Sequence, residues 1–152
     1  MALPAIVRGS YLNIEVGDGA GPEVFTMLCG LTTKTFDRQK NTSEHFISDC
    51  ADPEDISDRF LITTGQQGTI SGEGRLNRAQ FDLVEDLYNS NGANMRFRVS
   101  EPATDNIADG HFAGFFIMTS LSYSGGDASD GNHATASMTF ESSGPITYVA
   151  AP

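Results

Sequence analysis

Tryptophan is absent from this chain, cysteine occurs twice, and nine basic residues stand against twenty acidic ones. Each scarcity removes something. Cys29 and Cys50 can close at most one bridge, whereas small secreted scaffolds use several, so two free thiols in a reducing compartment are expected. A formal net charge of −11 repels phosphate backbones and anionic lipid surfaces, because affinity for nucleic acid comes largely from Lys and Arg displacing counterions. A conventional DNA- or RNA-binding role and docking on a membrane both run against that balance. No stretch reaches the ~18 apolar residues of a membrane-crossing helix. The opening MALPAIVRGS has one short apolar stretch and no usable leader core, so no secretory signal is expected.

What is present is one domain's worth of chain, residues 1–152, with no internal repeat or linker. Sixteen glycines and six prolines indicate many turns between short elements. Most of the sequence alternates with period two. Leu12, Ile14 and Val16 face one way against Asn13 and Glu15, and after the turn cluster GDGAGP a second apolar run, 24–29, completes a hairpin. Segment 31–37 is Thr-rich, with Thr33 and Thr35 opposite Thr32, Lys34 and Phe36. Residues 41–67 break the rhythm and read as a long inter-strand loop, with a helical turn near 53–58. One helix is expected over 77–89, capped by Asn77 with Gln80 three residues on, with Phe81, Val84, Leu87 and Tyr88 as its apolar stripe.

Further along, Met95, Phe97 and Val99 alternate with Asn94, Arg96 and Arg98. In the next strand the expected apolar face is Phe115, Ile117, Thr119, Leu121 and Tyr123. Its hairpin partner places Ala134, Ala136, Met138 and Phe140 opposite Thr135, Ser137 and Thr139, joined through a loop at 125–132. Short strands with a single helix and no βαβ alternation point to a mainly β domain, a sandwich or barrel carrying one packed helix.

No signature of catalysis emerges. There is no G-x-S-x-G, and His45, His111 and His133 fall in loops or at strand starts. Cys50 with His45, Asp49 and Asp52 lacks the paired spacing of structural zinc. Asp127, Asp130 and Asn132, and Asp105 with Asp109, lack the terminal Glu of a calcium loop and read as turn chemistry. Residues 17–21 lack the Lys-Ser/Thr of a phosphate loop. No enzyme, metal or cofactor is expected. From the residues alone, the chain is an acidic β domain that binds something, or itself.

The order of segments is more specific. LNIEVGDG at 12–19, followed by FTMLCGLTTK at 25–34, resembles the opening of major tail tube proteins of long-tailed phages and gene transfer agents, where a hairpin ends in an apolar-Gly-Leu step into a Thr/Ser-rich strand. GHFAGFFIMTSLSYSG at 110–125 and ASMTFESSG at 136–144 are similar to that family's closing strands, and the helix falls where the family places its own. The resemblance implies a structural subunit in which six copies close an inner barrel and rings stack into a tube. Tail tip, tape-measure and tail terminator proteins would be its partners, and DNA would transit the lumen without being gripped. It also implies a place in the virion tail after assembly in the host cytoplasm. On that footing Phe46, Asp49, Asp52, Asp55 and Asp58 in the long loop are candidate inter-subunit residues. Thr33, Thr35, Asp37, Thr135, Ser137, Thr139 and Glu141 are candidate lumen residues. Two other classes stay open at this point: a monomeric β-sandwich binding module, lectin-like or a calcium-dependent adhesion domain, and a small barrel enzyme.

Overall fold

A computed structural model describes residues 12–99, 110–125 and 134–150. The element order is β1 (Leu12–Gly17), β2 (Phe25–Met27), β3 (Leu31–Ile47), β4 (Asp58–Gly74), α1 (Arg78–Asn89), β5 (Ala93–Val99), β6 (His111–Ser124) and β7 (Thr135–Val149). All seven strands join one antiparallel sheet in the order β2-β1-β5-β6-β7-β4-β3. The mainly β architecture with a single helix among the described residues matches the expectation from sequence, but the sheet is not closed within one copy.

The sheet instead curls over its own apolar side. Phe36 of β3, at one end of the strand order, stacks on Phe97 of β5 at 5.3 Å and lies 5.0 Å from Phe112 of β6. Lys34 Nζ donates to the Leu12 carbonyl, tying β3 to β1. Inside the curl, Ile14, Ile70, Met95, Met138 and Phe140 are fully buried, and α1 closes the side with Val84 and Leu87. A core this well packed is enough to hold a chain of this length without bridges.

The connection from β2 into β3 depends on Gly30. Its φ of +84° is open mainly to glycine, and a Cβ there would run into the Arg75 carbonyl, where the Gly30 carbonyl accepts from Arg75 N at 2.9 Å. Gly72 keeps the inner side of β4 empty so that Leu31 can lie over it; a Cβ would sit 2.9 Å from Leu31 Cδ1.

Three expectations need correction. The supposed loop 41–67 is mostly strand. β3 and β4 pair from Leu31↔Gly74 out to Ile47↔Asp58, leaving only 48–57 as connection, with a single turn where Asp55 N donates to Asp52 O. Period two is invisible there because, in a single copy, both faces of this stretch lie largely in water.

The buried side of the first part of β6 is also not the one expected. The register shift at Met118/Ser120 reverses side-chain parity, so before it Phe116 and Met118 are buried while Phe115 and Ile117 are exposed, and after it Leu121 turns to the core. In α1, Asn77 Oδ1 caps Gln80 N at 2.9 Å as expected, but the Gln80 side chain reaches Met27 O of β2 at 3.0 Å and is itself buried. Phe81 and Tyr88 lie half-exposed, Phe81 stacked on Tyr123 at 5.0 Å.

Two measurements check this packing. Phe140→Ala should lower unfolding free energy by about 3–5 kcal/mol in urea titration, the range for emptying a filled aromatic site. Tyr123 OH donates to Glu85 Oε1 at 2.6 Å, and desolvation first, then that bond and the carboxylate's charge, push the phenol up to about 12. Because this lies above the ordinary value of 10.0, the stabilisation is full below pH 10 and is lost as pH rises towards 12. The urea midpoint should therefore fall more steeply over pH 10–12 in the wild type than in Tyr123→Phe.

Candidate assembly surfaces

Among the described residues, no three His, Cys, Asp or Glu side chains come together as a metal-holding group. His45 lies on β3, 3.2 Å from Ser43 Oγ, and Cys29 and Cys50 are both free and exposed. His111 opens β6, where desolvation, then Arg96 and Arg98, hold its imidazole below the ordinary value against the pull of Glu15. His133, Asp105, Asp109, Asp127, Asp130 and Asn132 lie outside the described residues. What the described chain offers is three unusual surfaces.

The first is a polar face. Alternation on β3, β4 and β7 stacks side chains into cross-strand rows: Asp37–Thr69–Glu141, Thr35–Ser71–Thr139 and Thr33–Glu73–Ser137. β6 continues the last two with Ser120 and Ser122, and Ser124 stands opposite Thr135. All seven candidate lumen residues thus fall on one side of four adjacent strands. The reverse side carries Phe36, Ile70, Phe140 and Met118. The polar rows carry the carboxylates of Asp37, Glu73 and Glu141 and no basic side chain. Sequence reasoning missed Thr69, Ser71 and Glu73, although their alternation with Ile70, Gly72 and Gly74 was the signal that could have found them. It also missed Ser120 and Ser122, which the bulge re-aims.

The second surface is a pair of strand edges. β3 pairs only with β4, so its other side is unpaired over Leu31–Ile47 among the described residues. Among the described residues β6 pairs with β5 only over His111–Phe116, which leaves a free edge over residues 117–124. Unpaired backbone N–H and C=O groups in such rows are templates for another chain.

The third is an arm. Beyond Thr69 the β3–β4 hairpin leaves β7 and continues as two strands for roughly 30 Å at ~3.3 Å per residue. Glu44 with Arg59 (3.1 Å) and Ser48 with Ser57 (3.1 Å) brace it internally. Its outer part nevertheless exposes Phe46, Ile47, Ile56, Phe60, Leu61 and Ile62, with Ile56 at 92%. Phe46 and Asp58 sit on the strands, and Asp49, Asp52 and Asp55 in the connection. All five candidate inter-subunit residues therefore gather at the arm's end. An isolated two-stranded ribbon is marginal in water, and a monomer seldom exposes so many large apolar side chains together.

The arm contributes no residue to the buried core. Replacing residues 43–62 by Asn-Gly, which joins the paired Thr42 and Thr63, should leave unfolding free energy within about 0.5 kcal/mol of the wild type in urea titration.

A sequence model described as phage tail tube protein matches residues 6–148. Similar folds occur in the tail of an empty gene transfer agent particle refined with C6 symmetry, at TM-score 0.70 and 17% identity over 94% of this chain and 98% of that one. They occur also in the SPP1 tail tube, at TM-score 0.66 and 14% identity over 95% of this chain and 80% of that one. A third is the sheath–tube complex of an extracellular contractile injection system, at TM-score 0.66 and 14% identity over 95% and 92%. No curated protein matches the sequence.

Proposed function

Since the chain belongs to the phage tail tube protein family, we propose that six copies form a ring whose bore is lined by the polar face, and that stacked rings form the conduit for DNA ejection. The observation that carries this reading is one polar, carboxylate-bearing face bounded on both sides by unpaired strand edges. Along the order β6-β7-β4-β3 every pairing is antiparallel, so β3 runs opposite to β6. Rotation about a ring axis preserves strand sense. The β3 of one copy therefore meets the β6 of the next antiparallel, and part of β3 satisfies the free edge of β6 without any change of direction. Four strands from each of six copies, ~4.8 Å apart and tilted by ~40°, give a barrel roughly 40–50 Å across at the backbone. That leaves a bore that admits a DNA duplex.

The charge supports the conduit. A sliding polyanion must not be held, and Asp37, Glu73 and Glu141 on each copy present repulsion where a binding protein would place Lys or Arg. The Thr and Ser side chains of the same rows keep the wall wetted. Arg98 is spent on Glu15 at 3.1 Å, on another part of the sheet. The role is structural, with the virion tail as its place and the host cytoplasm as its site of assembly. The two ends of a stack, which have no further ring to meet, suit a tail tip and a tail terminator, and the growing bore suits a tape-measure protein.

Purified protein, concentrated or seeded with a tail-tip complex, should give rings or tubes in negative-stain electron micrographs. A protein that stays monomeric under all these conditions contradicts the reading. The variant with residues 43–62 replaced by Asn-Gly should fold but give no tubes, and normal tubes from it would exclude an assembly role for the arm. Neither monomer nor tubes should retard double-stranded DNA in a mobility-shift assay at ~50 mM salt, where phosphate-binding proteins bind most tightly. Salt-sensitive retardation at micromolar protein contradicts the non-gripping bore.

A further inference from the structure

A concavity of about 650 Å³ lies on the side of the sheet opposite the core, at its β5–β6 end beyond the polar rows, lined among others by Glu23, Phe25, Arg96, His111, Phe115 and Val149. We propose that this concavity is the seat for the arm of the laterally adjacent copy, with the acidic connection 48–57 facing Arg96 and the arm's apolar residues covering Phe25, Phe115, Pro145 and Val149. The proposal rests on the tube reading above and deepens it by naming where the arm lands.

Strand direction supplies the first argument. When β3 lies antiparallel beside the next copy's β6, increasing number along β3 runs from the Ser124 end of that β6 towards its His111 end. Phe36, Ile70, Phe140 and Met118 share one cross-strand rung. From that rung His111 is seven residues away along β6, and the arm's last strand residue, Ile47, is eleven away along β3. An arm carried past the barrel therefore overhangs the part of the neighbour that bears the concavity, its strand being four residues longer than the stretch to His111.

Charge supplies the second. From Ser48 to Asp58 the chain has Asp49, Asp52, Glu54, Asp55 and Asp58 and no basic residue. In the concavity Arg96 stacks its guanidinium 3.6 Å over the Phe25 ring and forms no ion pair among the described residues. Of the nearby carboxylates, one lies on another cation and the other, Glu23 in the lining itself, is held by neutral donors. Glu15 holds Arg98, and Glu23 accepts from Asn94 Nδ2 at 3.1 Å and from Gly19 N at 3.2 Å. An incoming carboxylate thus meets an uncommitted cation on an aromatic floor. The apolar halves match as well, since Phe46, Ile47 and Ile56 on the arm are 60–92% exposed in the single copy. Large apolar side chains seated in a pocket and ringed by charge are the usual anchors of an interface.

The test uses the cysteine that the arm already carries. In a chain with Cys29→Ser and Thr147→Cys, where Thr147 is exposed and lines the concavity, tubes treated with a short bis-maleimide should cross-link Cys50 to the new thiol. Denaturing gels should show a ladder that ends at the hexamer and is absent from dilute monomer. Asp52→Lys with Asp55→Lys, both exposed and remote from the core, should raise the concentration needed for tube growth at least tenfold. Tubes without the cross-link, a ladder running past the hexamer, or growth of the charge variant at the wild-type concentration would each overturn the lateral seat while leaving the tube reading intact. Failure of the wild type to assemble at any concentration or with a seed would instead overturn both.

Discussion

Unpaired backbone at the two edges of a four-stranded sheet is the constraint on which this structure turns. β3 along its whole length and β6 beyond Phe116 expose N–H and C=O groups that no other described strand satisfies. A soluble monomer ordinarily blunts such edges with short strands, prolines, bulges or a covering element. Here β3 instead runs for 17 residues. The edges are complementary in sense, because an even number of antiparallel strands separates them. In the proposed ring, rotational repetition pairs every copy with the next and covers the free edge of β6 with part of β3.

Much else follows from that closure. The side chains of the four strands divide into polar rows, the side proposed to face the bore, and an apolar reverse, which curls against β1, β5 and α1 to form the core. Glycine at 72 clears the inner side of β4 for Leu31, and Gly30 turns the chain tightly enough for β3 to start beside the end of β4. The arm belongs to the same economy of surfaces. Its strands continue the edge pair beyond the body, with apolar side chains that a lone copy leaves in water and carboxylates at the tip that favour solubility.

The sequence shows this design unevenly, for physical reasons. β1 and β5 were readable because one face of each is buried and the other wet, so Ile14 and Val16, Met95 and Phe97 stand out from Glu15, Arg96 and Arg98. The helix was readable from its cap and from Val84 and Leu87, whereas burial of Gln80 depended on the Met27 carbonyl, a long-range partner that no local pattern reveals. The arm was read as a loop because two-sided exposure erases alternation. β6 was assigned the wrong buried face over Phe115 and Ile117 because the register shift at Met118/Ser120 reverses parity within one strand, and nothing local in HFAGFFIMTSLSYS marks it. The polar face was half legible: Thr33, Thr35, Thr135, Ser137 and Thr139 announce themselves, but the strand order that sets β4 between them is a tertiary fact.

The most direct measurement is a cryo-electron microscopy map of the assembled tube at a resolution that traces side chains. The account predicts a continuous antiparallel barrel in which β3 of each copy is hydrogen-bonded to β6 of the next, with Asp37, Glu73 and Glu141 facing the bore. A tube whose bore is lined by α1 or by the β2-β1-β5 part of the sheet, or whose neighbouring copies meet without β3–β6 pairing, would contradict it.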